Sequence, residues 1–481
     1  MLDALQKIND TVQNTLWGFP LLFAIIFAGI VTTVRTDFFQ FRHPLHITAE
    51  TIGGIVRSLR KRKNGEKSEI TQFQALCTAL AATIGTGNIV GVATAIGAGG
   101  PGALLWMWIA ALLGMATKYA EGVLAVKYRV LDEEGHALGG PFYYIEKGMG
   151  TKWKWLAKIF AFFGVGVGLL GIGTITQVNG ITSAVNNFFD ANNQWTVAIF
   201  GRKYSWTVVI AAVLVTLCVT LVLIGGIKRI SKVAQFVVPF MAGIYVFFCV
   251  LLILLNLKAI PGAVATIVES AFGMRAAAGG ALGAIMIAAQ KGIARGIFSN
   301  EAGLGSAPIA AAAAQTNEPV RQGLVSMTGT FVDTVVICTM TGLSIVLTGA
   351  YQVKGLEGVA VTTYAFQKGL PFGENICSFI LMACLVFFAF TTILGWDYYS
   401  ERCLEYLVSG KQSVLKTYRW LYIVAVFIGP FLTVSAVWTI ADIFNALMAL
   451  PNLIAILALS GVIVKETKSY FARLDRGEVE E

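Results

Sequence analysis

TQFQALCTALAATIGTGNIVGVATAIGAGG, residues 71–100, is long and apolar enough to cross a bilayer, yet Gly85, Gly87, Gly91, Gly97, Gly99 and Gly100 fall inside it and leave its centre poor in helix-forming residues. Residues 279–314, GGALGAIMIAAQKGIARGIFSNEAGLGSAPIAAAAA, repeat the feature: Gly292, Gly296, Ser299, Asn300, Gly303 and Gly305 interrupt a second apolar run at mid-depth. Unwound backbone in hydrocarbon leaves amides and carbonyls unpaired at a cost of several kcal/mol each, so it persists only where it lines a cavity. Half-helix N-termini then offer N–H groups and a positive dipole end to a carboxylate, and C-terminal carbonyls suit a cation or an ammonium group. An amino acid zwitterion together with sodium meets both requirements. The competing reading, that these glycines only let helices pack closely, applies best to Gly97, Gly99 and Gly100. It applies least to Gly85–Asn88 and Gly296–Glu301, where polar and ionisable groups accompany the glycines.

The rest of the chain agrees with a membrane setting. Of 481 residues 56% are hydrophobic and 13% charged, against about 25% charged in an average soluble protein, so there is too little polar surface to cover a water-soluble globule. Apolar length predicts helices near 17–34, 71–97, 101–127, 155–186, 206–224, 233–256, 279–313, 319–349, 373–408, 417–433 and 436–464, eleven in all. The fold expected is therefore all-α and polytopic, one transmembrane domain over 1–481. Residues 1–70 hold an extra helix and a basic loop, 71–256 and 279–464 hold two blocks of five spans each opened by an interrupted helix, and 465–481 form a tail. With the N-terminus outside, 27 of the 36 Lys and Arg fall on cytoplasmic segments and 7 outside, leaving Lys291 and Arg295 within the seventh span. That asymmetry predicts a cytoplasmic C-terminus. The N-terminal residues lack a basic region and a small-residue cleavage site, so the first apolar run is expected to stay as a helix. The net charge of +9 is spread over these loops, which argues for topology rather than nucleic acid.

Polar residues within spans must face protein or water. Lys291, Arg295 and Glu301 flank the second interruption, and pairing among them or with Glu121 would close a gate; a structural ion pair near a helix end is the alternative. Asp333, Asp397, Glu401 and Asp442 also fall within spans. Gln177, in GTITQVNGIT (173–182), is either a substrate contact or an interhelical hydrogen bond. In LVFFAFTTILGWDYYSERCLEYL (385–407), Thr391 and Thr392 either back-bond to the preceding turn or supply hard, uncharged oxygens to sodium. Trp396 either packs or floors a small pocket. His43, His46 and His136 fall between spans, so no intramembrane imidazole is offered for a proton relay, and the seven cysteines read as small core residues. Gly85-Thr86-Gly87 is not a dinucleotide fingerprint, because Val90 takes the third glycine position and no strand precedes it.

Residues 79–129, ALAATIGTGNIVGVATAIGAGGPGALLWMWIAALLGMATKYAEGVLAVKYR, and 296–314, GIFSNEAGLGSAPIAAAAA, with the loop GGPFYYIEKGMG at 139–150, resemble the alanine or glycine:cation symporter family of the amino acid-polyamine-organocation superfamily. The resemblance implies a leucine-transporter type five-plus-five inverted repeat, here with one extra N-terminal helix. It implies that the backbone at Gly85, Thr86 and Gly87, beside Thr83, receives the substrate carboxylate, while Phe298, Ser299, Asn300, Gln177 and Trp396 enclose the side chain and amine. Sodium, the co-transported ion, is implied at Thr391 and Thr392 with carbonyls around Ala81 and Ile84, and near Asn88. Lys291, Arg295, Glu301 and Asp333 would gate or couple. A pocket roofed by large side chains would limit the substrate to alanine or glycine. The expected setting is the cytoplasmic membrane, with lipid as surroundings and no nucleic acid, organic cofactor or obligatory protein partner. Proton coupling through Glu301 or Asp333 is the transport alternative. A channel would need a continuous polar pore, and an enzyme lacks any HExxH pair, Walker loop or cysteine-histidine set in a span.

Overall fold

Thr71 opens the decisive stretch as a helix. Its hydroxyl accepts from the Gln74 amide at 3.1 Å while the Gln74 side chain accepts from the Thr71 amide at 3.0 Å, a capping box that satisfies two end donors. The computed structural model describes residues 18–61, 71–131, 137–199, 202–274, 280–314, 316–432 and 434–478. In chain order its main helices are α1 (Phe19–Arg35), α2 (Pro44–Lys61), α3 (Gln72–Thr83), α4 (Val92–Gly99), α5 (Ala103–Lys127), α6 (Lys154–Leu170), α7 (Ile175–Phe189), α8 (Trp206–Leu223), α9 (Gly226–Leu255) and α10 (Ile260–Ala271). They continue as α11 (Ala281–Asn300), α12 (Ala307–Ala312), α13 (Pro319–Thr330), α14 (Thr339–Leu347), α15 (Val359–Gly369), α16 (Glu374–Val408), α17 (Gln412–Ile428), α18 (Val434–Ala458) and α19 (Ser460–Asp475). Two short antiparallel strand pairs, Val130–Leu131 with Ala137–Leu138 and Thr196–Ile199 with Arg202–Ser205, lie between helices.

Among the described residues nine helices are long and apolar enough to cross a membrane, or ten when the pair around the first interruption, bent by 49°, is taken as one span. The remaining expected span is α1, 17 residues or about 26 Å of helix, so length alone does not reach eleven. α5 lies at the centre, with its inner half almost wholly buried. α8 and α9 lie at the rim, where Ile210, Leu214, Leu217, Leu221, Phe236, Phe240 and Phe247 turn outward as a lipid-facing surface.

Several expectations need correction. The second interruption does not start at Gly296: α11 stays helical through Asn300, and the irregular backbone runs over 301–306. There Glu301, Gly303 and Gly305 have φ of 57°, 87° and 82°, the left-handed region in which glycine is at ease and glutamate is strained. Gly292 instead lets α11 approach α5, since a Cβ there would lie 2.2 Å from the Ala103 carbonyl oxygen. The fourth span, expected as one helix over 155–186, is broken at 171–174 between α6 and α7. Segments read as loops hold α2, α10 and α15, and the last span divides at Leu459 so that much of the tail is helix α19. His46 accordingly lies on α2 rather than in a loop, and His136 lies outside the described residues. Six of the seven cysteines are buried as expected of core residues, but Cys218 of α8 is exposed, on the outward face of a rim helix.

Candidate functional site

The first interruption redirects backbone groups to side chains. In an unbroken helix the amides of Gly85 and Thr86 would close on the carbonyls of Ala81 and Ala82. Here Gly85 N donates to Asn88 Oδ1 at 2.9 Å, and Thr86 N donates to Gln177 Oε1 at 3.1 Å. Asn88 N turns to the Gly85 carbonyl at 3.2 Å, which frees the Ile84 carbonyl as well. The Thr392 hydroxyl lies 3.3 Å from that Ile84 oxygen. One released carbonyl and one hydroxyl thus meet where α3 stops, neutral oxygens of the kind that suit a hard cation, and the same hydroxyl also donates to the Phe388 carbonyl of its own helix at 3.0 Å. Gly85 is required by this approach: a Cβ there would stand 2.5 Å from Thr392 Oγ1 and 3.0 Å from Gln177 Oε1.

The threonine pair splits. Thr391 turns away, its hydroxyl donating to the carbonyls of Phe387 at 3.1 Å and Phe388 at 3.0 Å and touching Met241 of α9. Asn88 also leaves the Thr392 group and reaches a second one. Its Nδ2 donates to Asp333 Oδ1 at 2.7 Å, and Asp333 Oδ2 accepts from Ser299 Oγ and Thr334 Oγ1, both at 2.8 Å. Asp333 sits on the π-helical segment Phe331–Cys338, whose wider turn swings the carboxylate toward the first interruption. Asn300 Nδ2 donates to Thr334 Oγ1 at 3.0 Å, and its Oδ1 accepts from Ala302 N at 2.9 Å. The residues predicted for sodium therefore occupy two adjacent places rather than one.

Gln177 performs an interhelical bond and a site contact at once: beside its bond to Thr86 N it donates to the Ile172 carbonyl at 2.9 Å, satisfying the break between α6 and α7. Thr86 is fully buried and its hydroxyl has no hydrogen-bond partner among the described residues, yet it borders a vestibule of about 810 Å³ shared with Val90, Gly97, Asn179, Gly180, Arg295 and Val359. Phe298 and Ser299 close on Gly87, where a Cβ would lie 3.2 Å from Ser299 Cα and 3.4 Å from the Phe298 ring. Thr83 back-bonds to Ala79 at 3.1 Å and faces a different cavity, away from the vestibule.

The expected pairing of Lys291, Arg295, Glu301 and Glu121 is not what forms. Arg295 reaches Asp442 of α18 at 3.6 Å and lies over the Phe298 ring at 5.5 Å. Lys291 is exposed. Glu301 accepts from Trp396 Nε1 at 2.8 Å and from Ser306 Oγ at 2.5 Å, so Trp396 anchors the second break. Glu121 Oε1 accepts from the amides of Gly303 at 3.1 Å and Gly305 at 3.2 Å and from Asn452 Nδ2 at 2.7 Å, in effect replacing the helix carbonyls that the break removed. Asn452 also donates to the Gly303 carbonyl at 2.9 Å and accepts from Tyr144. Beyond α12, Arg129 donates to the carbonyls of Ala312, Ala314 and Thr316 at 3.1, 2.8 and 2.7 Å, binding the negative end of the second half-helix. Sequence reasoning missed Arg129, Asn452 and the Asp442 partnership. An asparagine beside Pro451 inside an apolar helix was the signal available for one of them.

Two interrupted helices, a carboxylate cradling the second and an oxygen set at the end of the first suit coupled movement of a small zwitterion and a cation. The model of the sodium:alanine symporter family matches residues 2–481. The chain belongs to that family. It is thereby a cation-coupled amino acid symporter and not an enzyme. An uncharacterized transporter of Haemophilus influenzae is 53% identical over 98% of this chain and 97% of its own. The sodium/alanine symporter AgcS of Methanococcus maripaludis is 43% identical over 98% of both chains. The crystal structure of MhsT in complex with L-phenylalanine superposes with a TM-score of 0.55 at 13% identity, covering 85% of this chain and 99% of that one, a likeness of fold alone. The fold is thus of the leucine-transporter type.

Proposed function

We propose that this member of the sodium:alanine symporter family couples sodium influx to uptake of alanine or glycine by alternating access, with residues 71–256 and 279–464 as its two repeats. The observation that carries the reading is the unpartnered Thr86 hydroxyl at a helix interruption on the floor of the vestibule. The substrate carboxylate takes up the amides of Gly85, Thr86 and Gly87 in exchange for Asn88 and Gln177, and Ser299, Asn300 and Phe298 border its other side. The near absence of room around Gly85 and Gly87 favours a side chain no larger than methyl. Sodium is held by the Ala81 and Ile84 carbonyls with Thr392, and Asn88 beside Asp333 offers a second cation position. The vestibule lies on the outside and Thr71 on the cytoplasmic side, with the N-terminus outside, the C-terminus cytoplasmic and the cytoplasmic membrane as setting.

A second reading rests on Asp333, which is fully buried and held only by neutral donors, a setting equally served by a proton. Equilibrium binding of labelled alanine to purified protein in sodium, potassium or choline chloride, each at two pH values, separates the two. The proposal expects binding only in sodium with little pH dependence. Equal binding in all three salts, varying with pH, would favour the proton.

A further inference from the structure

Lys118 of α5 is 3% exposed, and among the described residues its ammonium has neither a hydrogen bond nor an ion pair. It borders a cavity of about 20 Å³ on the side of the breaks away from the vestibule, shared with Thr83, Asn300, Gln322, Ser326 and Thr330. Two buried polar atoms of this wall, Gln322 Oε1 and Thr330 Oγ1, have no hydrogen-bond partner among the described residues. A cavity of that size admits about one or two waters, enough to hydrate an ammonium and too little for a solute. The wall follows α3 from Ala75 to Thr83, so the cavity lies along the closed half of the route, between the first interruption and the helix start at Thr71.

Three buried carboxyl groups lie at the two breaks. Glu121, Glu301 and Asp333 are fully buried, and their hydrogen-bond donors are neutral: amides, an indole, hydroxyls and asparagines. Lys118 stands one turn before Glu121 on α5, and its cavity shares Asn300, whose bond to Thr334 leads on to Asp333. Buried carboxyl groups with no cationic hydrogen-bond donor can receive a mobile cation, and the ammonium opposes it from the exit side. We propose that Lys118 is a fixed internal counter-cation that weakens cation binding at the Asn88–Asp333 place and drives the bound cation out once the α3 side opens. This rests on the reading of cation-coupled transport above and adds to it the residue that sets the cation's release. Among the described residues the Lys118 ammonium makes no ion pair, so its charge is left to act on a cation that passes.

The test is the sodium dependence of alanine uptake in proteoliposomes for wild type, Lys118→Met and Lys118→Arg. Removing the charge should lower the half-saturating sodium concentration about tenfold and reduce maximal rate, because the cation leaves slowly. Lys118→Arg, which keeps the charge, should stay near wild type on both counts. Gln322→Glu, which places a carboxylate on the same wall to pair with Lys118, should shift the sodium dependence in the same direction and serves if Lys118→Met does not fold. An unchanged or raised half-saturating sodium concentration in the charge-removing and charge-pairing variants would overturn the proposal. Wild-type uptake indifferent to sodium would instead overturn the coupling reading beneath it.

Discussion

At the scale of single residues, Thr392 and Thr391 make a controlled pair. Both are buried on one helix, but only Thr392 faces a released carbonyl, at Ile84. Thr392→Ala should raise the half-saturating sodium concentration of uptake about tenfold, the effect of losing one ligand oxygen worth about 1–2 kcal/mol. Thr391→Ala should change it little. Circular dichroism and size-exclusion profiles would establish that both variants remain folded. Gly85 gives a steric counterpart. Its missing Cβ is the space into which Thr392 and Gln177 fit, so Gly85→Ala should abolish uptake, whereas Gly97→Ala, with nothing within 4 Å of the added methyl, should leave uptake near wild type although it borders the same vestibule. The sequence made Thr392, Asn88, Gln177 and Asp333 visible because each is a polar residue in an apolar span. It could not say that Thr391 turns aside or that Asn88 and Asp333 form a place of their own. Those depend on which way a helix is rotated and on a π-helical turn that no local residue pattern marks.

At the scale of elements, the interruptions were legible for different reasons. In the first, Gly85-Thr86-Gly87 combined small and polar residues at mid-span, and the 49° bend falls there. In the second the glycines misled: Gly292 and Gly296 serve contact with α5, and the break waits for Gly303 and Gly305, where positive φ is needed. The break at 171–174 passed unseen because its residues are apolar or small and no charge interrupts the run. Helices α10 and α15 are too short to read as spans, and α2 is amphipathic rather than apolar. The second break depends on Glu121, which lies in a different part of the chain. Glu121→Ala should orphan the amides of Gly303 and Gly305 at about 1–3 kcal/mol each. A lowered melting temperature in detergent, partly restored in Glu121→Gln through its remaining carbonyl oxygen, is the expected result; an unchanged one would remove Glu121 from this role.

At the scale of the whole molecule, the vestibule reaches Thr86 from one side while Arg129 and the small Lys118 cavity close the other, so the structure stands in an outward-facing arrangement under the proposed orientation. Arg295 on the vestibule wall is already paired with Asp442 of α18 at 3.6 Å, so this pair is placed to hold α11 against α18 while the vestibule closes. Asp442→Asn should therefore leave a cysteine introduced at Val90 more reactive toward a soluble thiol reagent in the presence of sodium and alanine; equal reactivity would place the outer gate elsewhere. Under the proposed function, coupling means that sodium orders the first interruption, alanine binds the ordered form better, and each raises the affinity of the other by the same factor. The most direct measurement is uptake of labelled alanine by proteoliposomes with an imposed inward sodium gradient as the only driving force. The account predicts accumulation above the external concentration, collapsing when sodium is equal on both sides. Equal uptake with and without the gradient would contradict it.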